Sequence, residues 1–314
     1  MSNVRIFAHA QYFRLFGGPG SQAIVRERIL RYHRSQMDTL SRRSVLAMAA
    51  SSPLAFGAKK IPVGLELYSV RNELKQDLNG TVRAVAKMGY EVVEFFSPYY
   101  AWTPEQTKDM RKLLDELGIK CLSTHNDAKN FQPENLSRTA ELNQILGAKY
   151  VVMASAGRPQ GVAGWTAVAE TLNRATDSWK SAGLRPGYHN HQTEFVPLDG
   201  EKQRPIDVIA AKTYPVVMLQ FDVGTCVEAG SDPVAWIDQN PGRIRSMHCK
   251  DWAPGPDKGY KVLFGEGAVP WKKVFDAAEK TGGIEYYLIE QEGSAFPAME
   301  TAEKCLANFR KIHG

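Results

Sequence analysis

LGAKYVVMAS, residues 146–155, joins the end of one helical pattern to the start of a strand. Gly147 stands where a helix C-cap needs a left-handed residue, and the apolar run Tyr150–Met153 has the length and β-branched content of a buried strand. The same junction recurs along the chain. Gly89, Gly118 and Gly183 also sit just before strand-like runs. The candidate strands are 63–68, 90–95, 120–125, 150–155, 186–191, 216–222, 244–250 and 286–291, with helical patterns between them. Proline follows Thr103, Gln132 and Asp232, placing it at a first helical position in three of those segments. Eight βα units in the 257 residues after position 57 match the length of a closed (β/α)8 barrel, about 250 residues. The competing open doubly wound sheet lacks its signature, because no Gly-x-Gly-x-x-Gly turn follows the first strand. The expected fold class is therefore α/β, a (β/α)8 TIM barrel spanning residues 58–314.

The net charge of +5 is concentrated outside the barrel. Residues 1–57 carry eight arginines, no lysine and two acids, so the remaining chain has a net charge of −1. A nearly neutral body argues against a nucleic-acid partner, which needs a basic face. The basic head reads differently. SRRSVLAMAASSPLAFG, residues 41–57, is a twin arginine followed by a short Ala/Ser-rich apolar run and a small-x-small ending. That order is expected of a twin-arginine export signal over residues 37–57, with Met37 as its start and residues 1–36 as an upstream extension. The expected location is the periplasm, with no stable membrane insertion after cleavage. Cys121, Cys226, Cys249 and Cys305 show no short paired spacing, which argues against a zinc knuckle or dithiol site and leaves any disulfide open.

In such a barrel the chemistry lies at the C-terminal ends of the strands. The polar residues there are Tyr68, Glu94, His125, Ser155, His189, His191, Asp222, His248, Lys250 and Glu290. Four of the five histidines beyond position 57 fall in this set; the fifth is His313 in the tail. His189, Asp222, His248 and Glu290, from strands five to eight, form a donor set for one divalent ion such as Mn, Co, Fe or Zn. Asp222 ends a run of apolar residues, where an unpaired carboxylate would be costly and a bound cation would offset the cost.

Residues GLELYSVR, MGYEVVEFF, YHNHQTEF, QFDVGT, MHCKDW, VLFGEGAVPW and IEQE resemble the sugar phosphate isomerase/epimerase superfamily with the xylose isomerase-like TIM barrel. The resemblance runs from about Val63 to the C-terminus. It implies a metal held by Asp222, His248 and Glu290, and a small-molecule carbohydrate substrate. Many relatives place a glutamate where this chain has His189, so a symmetric two-glutamate proton shuttle is not implied here. Glu290 is the expected base, with His125 or His191 as acid or base. Lys250 is expected either to meet a substrate hydroxyl or oxyanion, or to form a surface salt bridge. Tyr68, Glu94 and Trp252 are candidates for binding sugar hydroxyls or faces. The leading expectation is a metal-dependent isomerase or epimerase of an unphosphorylated sugar or keto-sugar. Its alternatives are a lyase or hydratase on 3-keto-glycosides and a non-catalytic carbohydrate-binding barrel.

Overall fold

The computed structural model describes residues 60–314. The expected export signal and upstream extension lie outside the described residues. Eight parallel strands close into one barrel in sequence order. They are β1 (Val63–Glu66), β2 (Val92–Phe95), β3 (Lys120–Asp127), β4 (Tyr150–Ser155), β5 (Arg185–His189), β6 (Met218–Asp222), β7 (Ser246–Cys249) and β8 (Tyr286–Ile289). β1, β5, β7 and β8 stop short of their sequence patterns at the mouth end, where the chain turns into loops, while β2 and β6 start later than theirs and β3 runs on to Asp127. Among the described residues, no helix is long and apolar enough to cross a membrane.

The expected caps form. Gly89, Gly118, Gly147 and Gly183 all adopt left-handed conformations. Thr103 and Gln106 make a reciprocal capping box on the helix Pro104–Leu117, a device worth about 1 kcal/mol. Pro133 opens a single 3-10 turn rather than the helix, which begins at Leu136.

Strand alternation divides the apolar residues into two layers. One set faces the helices, including Leu65, Val93, Val151, Leu219, Phe221, Met247 and Ile289. The other fills the lower barrel interior with Val92, Tyr150, Val152, Met218, Tyr286 and Leu288. Gly64 lets β1 approach β2, since a Cβ there would come within 2.5 Å of the Val92 carbonyl oxygen. At the base Glu285 accepts hydrogen bonds from Tyr150 and Arg245 at 2.9 and 3.0 Å and pairs with Lys149, joining the β4 side to the β7 side. Above the apolar plug, the same inward positions become polar: Glu94 on β2, Gln220 and Asp222 on β6, and His248 on β7. The barrel thus has a dry floor and a charged upper storey.

All four cysteines are buried and free. His313 is remote from the mouth, packed on Phe275 and Phe309.

Candidate active site

The upper storey brings together residues from every strand except β4, whose Ser155 reaches the rim. Glu94 is its lowest member and has no exposed surface. Its carboxylate accepts from Gln220 Nε2 at 2.8 Å and from Ser123, and lies 3.0 Å from His125 Nε2 and 3.3 Å from His248 Nε2. Burial opposes ionisation, yet the two histidines hold this carboxyl well below the usual range. The same pairing works in reverse on His125, which burial would lower and Glu94 raises. Glu94 therefore sits a layer beneath the cavity, with its oxygens already engaged by protein.

His248 links this lower network to the mouth. Its Nδ1 lies 2.9 Å from Glu290 Oε2, while its ring stacks on His125 with centroids 4.9 Å apart. Burial opposes its protonation, but Glu290 and Glu94 push it up to about 9. Lys250, two residues on, is 3% exposed. Its ammonium lies 3.5 Å from Asp222 Oδ2 and 3.4 Å from Glu290 Oε2, and contacts Glu292. The surface salt bridge allowed by the sequence is thereby corrected, because period-two alternation carries Lys250 inward with His248. Glu290 is held well below the usual carboxylate range, burial being outweighed by Lys250 and His248.

Asp222 and His189 have unspent bonding capacity. Asp222 Oδ1 caps the following helix through the Thr225 amide at 3.1 Å, but Oδ2 is buried without a hydrogen bond. Asn190 orients it, accepting from the Asp222 amide at 3.1 Å and donating to Thr225 Oγ1 at 2.9 Å. His189 Nδ1 is likewise buried with no partner, and Nε2 lies 3.9 Å from Asp222 Oδ2. Burial and the neighbouring His248 and His125 hold His189 well below its ordinary value, so it is a neutral imidazole, the form that binds metals. His189, Asp222 and Glu290 can place one donor atom each within 4.8 Å of one another. Orphaned donors of this chemistry fit a divalent cation. Glu66, Glu94, Asp222 and Glu290 are buried here with Lys250, His125, His189 and His248.

A cavity of about 310 Å³ opens above these groups. Its lining includes Tyr68, His125, Ser155, His189, His191 and Glu290. His191 stands at the lip, with 42% of its side chain exposed. Tyr68 lies beyond β1 in a 3-10 turn, not on the strand, and its ring reaches the rim. The inward terminal residue of β1 is Glu66, which pairs in register with Glu94. It was missed, although its place two residues after Gly64 signals an inward side chain. Its Oε2 is buried without a partner, and burial together with Glu94 raises its pKa well above the ordinary carboxylate value. Trp252 does not line the cavity; it stays half-buried at the root of the β7 loop.

That loop has its own organiser. Asp251 is fully buried and accepts from the amides of Trp252, Gly265, Gly267 and Val269 and from Trp271 Nε1, at 2.8–3.3 Å. This accounts for the spacing of KDW and FGEGAVPW, since a Cβ on Gly267 would collide with the Asp251 carboxylate. Asp251→Ala should leave these donors buried and unpaired, costing about 1–3 kcal/mol for the groups that cannot rehydrate. Hydrogen exchange should show loss of protection across residues 252–270 while the strands stay protected.

The mouth of this closed parallel barrel gathers histidines and carboxylates that could hold a divalent ion. The model of the xylose isomerase-like TIM barrel family matches residues 82–312, and the chain belongs to that family. An inosose dehydratase of Lacticaseibacillus casei is 24% identical over 241 residues, covering 65% of this chain and 78% of its own. A sugar phosphate isomerase/epimerase structure from Parabacteroides distasonis superposes with a TM-score of 0.69 at 26% identity, covering 82% of this chain and 98% of its own. The IOLI protein, solved with a bound zinc atom, has the same fold at a TM-score of 0.60 and 18% identity, covering 80% of this chain and 99% of its own.

Proposed function

We propose that this protein is an enzyme that removes the proton beside the carbonyl of an unphosphorylated keto-sugar and expels the group on the next carbon, as a lyase or dehydratase. The carrying observation is the asymmetry of the cavity. Its carboxylates, Glu66, Glu290 and Glu292, come from the adjoining ends of β1 and β8, while the β3 and β5 side presents His125, His189 and His191 in place of a facing glutamate. An epimerase needs matched proton carriers on both faces of a planar intermediate. An elimination needs one base and one acid, and imidazoles supply the acid near neutral pH.

His189, Asp222 and Glu290 would hold the divalent ion, joined by His248 once the ion displaces the proton it shares with Glu290, and the ion would stabilise negative charge on the carbonyl oxygen as a Lewis acid. Glu290 takes the proton from the carbon beside the carbonyl. The electrons of that C–H bond become the new C=C bond as the bond to the leaving oxygen breaks. His191, at the lip, is placed to give that oxygen its proton, because the leaving group must point outward. Lys250 fixes Glu290 and Asp222 in position. The dehydratase activity of the Lacticaseibacillus casei relative supports this reading. The twin-arginine pattern supports a periplasmic substrate, and sugar phosphates are cytoplasmic metabolites.

The isomerase reading is second, supported by Asp222, His248 and Glu290 and by the likeness to the Parabacteroides distasonis structure. Incubation with methyl 3-keto-hexosides and free ketoses in D₂O separates the two. Methanol release with formation of an unsaturated ketone is expected. Deuterium incorporation with the substrate skeleton intact would replace elimination with epimerisation, and sugar binding with neither would indicate a carbohydrate-binding barrel.

A further inference from the structure

A second cavity, of about 500 Å³, lies beside the first, bounded by the loop after β1 and the end of β2. Phe96 lines both cavities. The Tyr68 ring, which lines the first cavity, meets Phe96 edge-on at 5.3 Å. The walls beyond are apolar, formed by Leu74, Leu78, Phe95, Tyr99 and Trp102. Arg71 and Lys75 lie four apart on one short helix and so share the face that lines the cavity, while no acidic residue does. Arg71 is held in place over the Tyr68 ring, 4.4 Å from its centroid, and donates to the Tyr68 carbonyl at 2.9 Å.

We propose that this cavity receives the leaving half of the substrate, an aromatic aglycone bearing an acidic group. The proposal rests on the elimination reading and names its substrate class. The first cavity is at the small end of the range for ligand pockets and suits a single sugar ring. A group leaving outward over Phe96 enters a space with flat aromatic walls and two cations. Such walls favour a ring over a second sugar, and the cations favour an acid over a neutral ring.

The test is calorimetric titration of the full chain with 4-hydroxybenzoate, using 4-hydroxybenzyl alcohol as the neutral control. The acid should bind, and the alcohol should bind more weakly. Leu78→Trp, which fills the cavity, should abolish binding. Arg71→Gln and Lys75→Glu, both near the surface, should each weaken the acid about tenfold without weakening the alcohol. Methyl 3-keto-hexoside turnover should survive in Lys75→Glu. Binding that Leu78→Trp and Arg71→Gln both leave unchanged would overturn the subsite, as would a dimer that Leu78→Trp converts to monomer. If the acid does not bind but the methyl glycoside is cleaved, the subsite fails while the elimination reading stands. If the acid binds and no keto-glycoside is cleaved, the substrate assignment is overturned with the elimination reading.

Discussion

Asp222→Asn should yield a protein that folds at least as well as the wild type, binds divalent metal far more weakly and has no turnover. The carboxylate has no exposed surface, and burial raises its pKa despite the nearby Lys250. A carboxyl whose folded value is raised opposes folding at any pH where it must ionise, so removing the charge relieves that cost. Asparagine retains an oxygen for the Thr225 amide, so the helix cap survives. Lys250 keeps Glu290 and Glu292 as partners. What is lost is the orphaned Oδ2 charge that a cation would use. Loss of an outer partner of a metal ligand weakens affinity by about 10–100-fold, and loss of the ligand's own charge should exceed that. Metal analysis after dialysis, with thermal unfolding in the presence and absence of chelator, checks both parts. Chelator should lower the melting temperature of the wild type and leave the variant unmoved, because only a ligand bound to the native state stabilises it. A variant that retains stoichiometric metal would remove Asp222 from the centre.

Glu94→Ala should be the most destabilising single change in the mouth, costing about 3–5 kcal/mol. It removes a charged partner of two buried histidines, leaves the Ser123 hydroxyl without its acceptor and leaves Gln220 Nε2 only Ser246 Oγ at 3.3 Å. Glu94→Gln, which keeps the volume and one acceptor, should recover part of the loss and so separate charge from packing. In chelator-treated protein the deficit should depend on pH. The folded value of Glu94 is depressed, so its contribution is present above the ordinary 4.5 and disappears as pH falls through that lower value. The folded value of His248 is raised to about 9, so its contribution is full below the ordinary 6.5 and disappears as pH rises through about 9. The gap between wild type and Glu94→Ala should therefore be widest between about pH 4.5 and 6.5 and narrow on both sides. Denaturant unfolding across the pH range measures it. A gap independent of pH would show that Glu94 acts through packing alone.

How much of this was legible depends on the range of the interaction involved. The helix ends at Gly118 and Gly147, the helix start at Pro104 and the eight-fold alternation are local, set by backbone freedom and short-range hydrogen bonding. They could be read from neighbouring residues, and the closed barrel followed from their number. Placing polar residues at strand ends identified His125, His189, Asp222, His248 and Glu290 as neighbours in one mouth for the same reason. Glu66 was passed over because the strand pattern ran on to Tyr68, which local sequence cannot distinguish from a sixth strand residue. Gln220 was hidden within an apolar run, although it lies two residues before Asp222 on the inward face. Asp251 was not singled out, because its donors come from residues up to twenty positions away and only the folded loop brings them to one carboxylate.

The sequence by itself determined the order of the elements, the closed barrel and the types of donor that face its mouth, because periodicity and capping act over a few residues. The tertiary structure decided how those donors are shared. It engages Glu94 with two histidines beneath the cavity, draws Lys250 inward between Asp222 and Glu290, and leaves Asp222 Oδ2 and His189 Nδ1 without hydrogen bonds. These outcomes depend on strand register and on the dielectric of a buried site, both of which arise only when distant strands meet.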